Sequence, residues 1–226
     1  MPKAMLSPSV MCADPFRLGE TLRVFEDRGV EYLHMDVMDG VFVPNLCLGT
    51  DFIRRVKEKS AVPLDIHLMI TEPEKKLSWF SFGAGDIVSV HIESGEHIDE
   101  ALGRIREKGA KAFLALSPDT PPESLLPYLG RIDGVVVMTV YPGFAGQKMA
   151  PGSLEKIAAV RRLLDENGLE TLPVEVDGNV SFINAPLMRK AGADVFVSGS
   201  SGVFRPGELG DNIDALRALL EGEETA

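Results

Sequence analysis

Cysteine is scarce in this sequence, and long apolar runs are missing. Two cysteines, Cys12 and Cys47, in 226 residues are too few for a disulfide framework and make no zinc-type cluster. They are expected to be reduced thiols in a cytoplasmic protein. No stretch is apolar enough to cross a bilayer. The first residues, Met1 to Leu6, lack the apolar region of a secretory signal, so no membrane partner is expected. Basic residues are in deficit: 23 Lys and Arg stand against 34 Asp and Glu, a formal charge of -11. With no basic run to offset it, this argues against a nucleic-acid partner. An anionic ligand would have to be held by local donors, because the overall field opposes it.

What the sequence has is alternation. Strand-like apolar runs fall near 4–9, 31–36, 63–68, 86–91, 111–116, 133–138, 173–177 and 194–198, with helical spacing of apolar residues between them. Asp14-Pro15 reads as an N-cap with proline at the first helical position, and Ser153 reads as the cap of a helix over 154–165. A weak repeat carries helix ends through glycine into strands at Gly29, Gly85, Gly109 and Gly192. Eight units in 226 residues are about 28 residues each, the size of a small βα unit. Low-charge strands between amphipathic helices imply a parallel sheet covered by helices. The expectation is a single (β/α)₈ TIM barrel over residues 1–226, with an acidic, frayed tail at 221–226. A doubly wound open sheet would need a glycine-rich turn after the first strand, and Ser7-Pro8-Ser9-Val10-Met11 is not one.

In such barrels the carboxyl ends of the strands carry the chemistry, and the unusual polar residues fall there. His34 and Asp36 close the second strand, His67 the third and Asp177 the seventh. Alternate strand residues share a face, so His34, Asp36 and Met38 point one way. Imidazole and carboxylate together suit one divalent transition metal ion: zinc, iron, manganese or cobalt. A lone strand-end His or Asp is usually a satisfied structural group, but four converging on one rim favour a site. Asp65 and Glu175 lie one step deeper, either as acceptors that orient the histidines or as an internal ion pair. Met38, Met69 and Met138 sit at strand ends, where packing is their ordinary role and an apolar site lining the alternative. His91 ends the fourth strand, where a structural role is at least as fitting, and His97 reads as solvated.

Three glycine-rich turns follow the late strands: Gly143-Phe144-Ala145-Gly146, Asp177-Gly178-Asn179 and Gly199-Ser200-Ser201. Each alone is an ordinary turn. Together, those after the seventh and eighth strands match the phosphate cradle of these barrels, with backbone N–H groups and the hydroxyls of Ser200 and Ser201 as donors. The 143–146 turn reads as a mobile lid. A divalent ion, two carboxylates and a phosphate cradle suit proton transfer at a carbon next to a carbonyl. One aspartate removes the proton and the other returns one to the opposite face, inverting that carbon.

The runs Leu6-Ser-Pro-Ser9, His34-Met-Asp36-Val-Met-Asp-Gly40, Phe42-Val-Pro-Asn45, Asp65-Ile-His67-Leu-Met69, Pro142-Gly-Phe-Ala-Gly-Gln147, Val176-Asp177-Gly178 and Gly199-Ser200 resemble the ribulose-phosphate 3-epimerase family over about residues 6–204. The resemblance implies a (β/α)₈ barrel and 3-epimerisation of a ketose phosphate. It also implies His34, Asp36, His67 and Asp177 as metal ligands, Asp36 as proton acceptor and Asp177 as donor. Ser9 and His67 would contact substrate, as would 143–146, 177–179 and 199–201, the last two groups near the phosphate. Ala145, Asn179, Tyr141 and Ser117 depart from the pentose-phosphate pattern, and Met138–Gln147, Ser201–Phe204 and Met11-Cys12 look closer to allulose-6-phosphate 3-epimerase. The implied partner is a small sugar phosphate, and base rates for the fold suggest a homo-oligomer.

Two other enzyme readings fare worse. A Schiff-base aldolase needs a lysine at a strand's carboxyl end, and Lys111 starts its strand. A decarboxylase of similar fold would want an Asp-x-Lys pair where the third strand has Asp65-Ile-His67. A catalytically silent metal- and phosphate-binding barrel is the remaining alternative, and the intact acid–base pair counts against it.

Overall fold

The computed structural model describes residues 3–222. Nine strands, β1 (Met5–Pro8), β2 (Leu33–Asp39), β3 (Leu46–Cys47), β4 (Leu64–Met69), β5 (Ile87–His91), β6 (Lys111–Leu116), β7 (Gly134–Met138), β8 (Val174–Asp177) and β9 (Val195–Ser198), form one sheet. Its order is β1-β9-β8-β7-β6-β5-β4-β2-β3. Every pairing is parallel except β2 with β3. Between β1 and β2 a parallel bridge joins Ser9 to His34, and Tyr32 N–H donates to Leu6 O at 3.2 Å. These contacts close the eight parallel strands into a barrel, and β3 hangs outside the ring.

Strand parity assigns two layers. Leu33, Met35 and Val37 of β2, Leu64, Ile66 and Leu68 of β4, and Val174 and Val176 of β8 belong to the large core between sheet and helices. The intervening residues must then face the barrel axis. At the amino end that axis is filled by Tyr32, Ile87, Phe113 and Val136. Higher up the inward positions turn polar: Ser7, His34, Asp36, Asp65, His67, Ser89, His91 and Glu175 are all buried. The outer layer is α1 (Leu18–Asp27), α2 (Thr50–Lys59), α3 (Pro73–Lys76), α4 (Ile98–Glu107), α5 (Ser153–Glu166), α6 (Asn184–Ala191) and α7 (Leu209–Glu221). No described helix is long and apolar enough to cross a membrane.

All eight expected strands are present, and Gly29, Gly85, Gly109 and Gly192 each hold the positive φ that turns the chain into the next strand. Four local expectations need correction. β2 runs on to Asp39 and β4 to Met69, so His34, Asp36 and His67 sit inside their strands rather than at the last residue. The segment after β6 is a 3₁₀ helix, Pro122–Tyr128, not an α-helix. Pro127, inside the segment, lacks the N–H that an α ladder would use. Asp14 caps a 3₁₀ turn, Pro15–Arg17, that leads into α1, accepting from Phe16 N–H at 3.0 Å. Ser153 is the first residue of α5 rather than its cap, and its hydroxyl donates back to Ala150 O at 2.7 Å. The chain is helical through Glu221, and the rest of the expected acidic tail, 223–226, lies outside the described residues.

Candidate active site

Parallel register brings the polar residues together. His34 pairs with Asp65 and Asp36 with His67 across β2 and β4, while β8 brings Asp177 from the far side of the barrel. His34 Nε2 lies 3.6 Å from Asp36 Oδ1 and 3.7 Å from Asp177 Oδ2, and His67 Nδ1 lies 3.2 Å from Asp177 Oδ2. One ligand atom from each of His34, Asp36, His67 and Asp177 falls within 4.8 Å of all the others. His34 Nε2 and His67 Nδ1 are buried and have no hydrogen-bond partner. Bare nitrogen lone pairs converging on two carboxylates are costly unless something positive sits between them. The donor set therefore fits a divalent cation with a taste for imidazole and carboxylate.

The surrounding groups orient this set. His34 Nδ1 is 2.6 Å from Asp65 Oδ2, which also accepts from Ser7 Oγ at 2.8 Å. A proton on Nδ1 leaves Nε2 as the free lone pair, the usual role of a carboxylate behind a ligating histidine. Asp65 thus serves His34, its neighbour in register, and not His67 on its own strand. Glu175 Oε1 lies 3.7 Å from the same Nδ1. Burial, and then the charge of Asp65, holds the Glu175 carboxyl well above the usual range. Burial by itself would disfavour a charged His34, but with no cation bound Asp65 and Asp36 outweigh it and raise its pKa well above the ordinary value; the proton then held at Nε2 is the one a bound cation would displace to reach the lone pair. Burial would likewise raise Asp36, yet His34 and the 2.7 Å bond from Ser9 Oγ bring it down to about 2. Asp36 is therefore held as a carboxylate.

Above the four groups opens a cleft. Ser9, Asp36, Met38, Met69, Met138, Asp177 and the three glycine turns at 143–146, 178–179 and 199–201 all line it. His34 and His67 do not; they are fully buried beneath the floor. Met38 and Met69 pack with Val43, so the methionines serve both packing and lining. The turns need their glycines: Gly178 has φ +116, and a Cβ there would lie 2.6 Å from Val140 Cγ2. The 143–146 turn is tied down, with Asn45 Nδ2 donating to Gly143 O at 2.8 Å and Gln147 Nε2 to Phe144 O at 2.8 Å. Asn179, at φ +47 without being glycine, donates from Nδ2 to Gln147 O at 2.8 Å. Lys111 stays at the opposite rim, bonded to the Tyr32 hydroxyl at 2.9 Å.

Sequence reasoning left Cys12, Gln147 and Val180 out of the cleft lining, and it left His91 undecided. His91 Nε2 lies 2.8 Å from His67 Nε2. The available signal was parity, since His91 faces inward on β5 two residues beyond Ser89.

Fold and site together define a class: a (β/α)₈ barrel with a metal-capable cluster of imidazoles and carboxylates beneath a cleft rimmed by three glycine-rich turns. The sequence model described as the Ribulose-phosphate 3 epimerase family matches residues 5–204. The ribulose-phosphate 3-epimerase of Bacillus subtilis (strain 168) is 41% identical over 196 residues, covering 87% of this chain and 90% of that protein. That of Escherichia coli (strain K12) is 36% identical and covers 97% of both. Among solved structures, KGPDC from Streptococcus mutans superposes with a TM-score of 0.67 over 99% of this chain and 100% of that one. At 10% identity this last likeness concerns the fold alone. The chain belongs to the ribulose-phosphate 3-epimerase family.

Proposed function

We propose that this protein is a ketose-phosphate 3-epimerase interconverting D-ribulose 5-phosphate and D-xylulose 5-phosphate. The observation that carries the reading is the convergence of two carboxylates and two unpartnered imidazole nitrogens within 4.8 Å at the floor of the cleft. The identities of 36–41% to proteins named ribulose-phosphate 3-epimerase favour the five-carbon substrate.

His34, Asp36, His67 and Asp177 would hold one divalent transition metal ion, with zinc, iron, manganese and cobalt the candidates. Bound there, it supplies positive charge that offsets the negative charge developing on the substrate's carbonyl and hydroxyl oxygens. The chain's own residues do the rest. The turns at 178–179 and 199–201 offer backbone N–H groups and the Ser200 and Ser201 hydroxyls to the phosphate, which sets the sugar across the cleft. Asp36, kept ionised and oriented by Ser9, takes the C3 proton. Asp177, from the opposite side of the barrel, delivers a proton to the other face of the planar enediolate. The reverse reaction exchanges their roles. Met38, Met69 and Met138 keep water from that intermediate, which would otherwise be protonated without stereochemical control.

One observation favours a second reading, the interconversion of D-allulose 6-phosphate and D-fructose 6-phosphate. Asn179 places a side chain between Gln147 and the cradle, its Nδ2 also 3.4 Å from Ser201 Oγ, where it can shift the phosphate seat. The test is kcat/KM of the metal-loaded protein on both ketoses. A clear preference for ribulose 5-phosphate is expected. A preference for the hexose assigns specificity to Asn179 and its neighbours, and activity on neither ends the epimerase reading.

A further inference from the structure

His67 does not stand alone behind the site. Its Nε2 is 2.8 Å from His91 Nε2, the rings stacked at 5.0 Å with an interplanar angle of 19°. His91 Nδ1 is 3.2 Å from Glu93 Oε2 and 3.5 Å from Ser117 Oγ. Glu93 is fixed from behind, its Oε1 accepting from Ser117 N–H at 2.9 Å and from the Thr120 hydroxyl. Both rings are fully buried, so water does not settle their protons.

The direction of the chain follows from its two ends. At one end His67 Nδ1 is the unpartnered lone pair that faces Asp177, so a neutral His67 carries its proton on Nε2. That N–H must donate, and the group it meets is His91 Nε2, which must then be the acceptor. A neutral His91 accepting at Nε2 carries its proton on Nδ1, and there it finds a carboxylate to receive it. With His67 Nδ1 kept for the cation, every donor in the row Glu93, His91, His67 meets an acceptor in this arrangement, whereas the reverse tautomers would set the His91 Nδ1 lone pair against the Glu93 carboxylate 3.2 Å away.

We propose that His91 and Glu93 are positioning residues for the metal centre, a two-step relay that fixes the tautomer of His67 and keeps its Nδ1 lone pair aimed at the cation. This rests on the reading that His67 is a ligand. It goes beyond it by assigning the β5 histidine, His91, and Glu93, two residues on, a function in the site. His34 has its orienting carboxylate in direct contact, at Asp65. His67 reaches its own, Glu93, only through a second imidazole.

Glu93→Gln gives the sharpest test. The Gln carbonyl oxygen is claimed by Ser117 N–H and Thr120, so its amide faces His91 Nδ1 and donates to it. His91 must then carry its proton on Nε2, pointing at the Nε2–H of His67. The clash is relieved by moving the His67 proton to Nδ1, which removes the ligand. The companion pair is His91→Gln, whose side-chain oxygen can still accept from His67, and His91→Phe, which cannot.

The experiment is Co(II) titration of the metal-free full-length protein and its variants, read by the visible absorption bands. It is joined by long-range ¹H–¹⁵N spectra of the Zn(II)-loaded parent. E93Q and H91F should bind Co(II) about 10–100-fold more weakly, with altered bands and an unchanged far-UV spectrum, while H91Q stays near the parent. The parent spectra should show His67 protonated at Nε2 and His91 at Nδ1. Equal Co(II) affinity in E93Q and the parent would overturn the relay, as would the opposite tautomers. If H91F does not fold, E93Q and the tautomer spectra decide the question. A parent that binds no Co(II) overturns the ligand set itself, a different failure from a parent that binds and variants that do not differ.

Discussion

The roles proposed for Asp36 and Asp177, proton acceptor and proton donor, are separable by isotope exchange. In Asp177→Asn the amide oxygen can still face the cation but carries no transferable proton. Asp36 then removes the C3 proton of ribulose 5-phosphate and can only return one to the same face. In D₂O the expected outcome is deuterium at C3 of recovered substrate, with xylulose 5-phosphate formation reduced about 10²–10⁴-fold. Product formed at the parental rate would remove Asp177 from the acid–base pair. At this scale the sequence was highly legible. A histidine and an aspartate two apart on a strand must share a face, so His34 with Asp36 could be paired without coordinates. The partner of Asp65 could not. Strand parity says that it points inward, but only the register of β4 against β2 sets it beside His34 rather than His67.

Elements are joined around the site by residues whose chemistry is purely structural. Asp39, the last residue of β2, accepts from Val41 and Phe42 N–H through Oδ1, and from Thr71 N–H, Thr71 Oγ1 and Lys76 Nζ through Oδ2, all between 2.8 and 3.1 Å. It thereby pins the loop that leads into β3 to the segment after β4. Burial would raise its carboxyl pKa, but these donors outweigh burial and depress it well below the usual range. The unfolded chain titrates near 4, so this stabilisation is complete above that pH and is lost as pH falls through the lower folded value. Asp39→Asn should therefore lower Tm at neutral pH, with the gap to the parent closing below about pH 4; a gap independent of pH would mean that the charge contributes nothing. Gly134 makes a different join. A Cβ there would lie 2.2 Å from Phe113 Cζ inside the barrel, so Gly134→Ala should destabilise by about 1–3 kcal/mol in denaturant melts while kcat holds, since the clash is at the amino end of β7. The replacement of an α-helix by the 3₁₀ segment Pro122–Tyr128 was visible in Pro127, which has no N–H to donate where an α ladder would need one. The β3 strand, two residues long, gives no periodicity to read.

For the whole molecule, the site is a point of concentrated negative charge in a chain already at -11. Bringing Asp36, Asp65 and Asp177 into the barrel works against folding unless positive charge meets them, and His34 alone meets all three within 3.7 Å. A cation bound to the folded state and not to the unfolded chain must then add stability. At a free concentration 100 times its Kd that is about 2.7 kcal/mol. Chelation should lower Tm and readdition of Zn(II) should restore it, whereas a Tm indifferent to chelator would mean that no cation is held there. No Lys or Arg lines the cleft among the described residues, so a phosphate held there, as proposed, would meet backbone amides and hydroxyls.

The sequence by itself determined the fold class, the eight strands, the inward face of each and the residue types at its end. These follow from local facts: the two-residue period of a strand, glycine where φ turns positive, and a deficit of charge where both faces are buried. Tertiary structure alone decided the register between strands and the closure of β1 on β2. It also decided the depth of His34 and His67 below the cleft and the contact between His67 and His91. Those are distances between residues 24 to 143 positions apart, and no local preference encodes them. They are set when a whole barrel of side chains must fill one axis without leaving a buried donor or acceptor unpaired.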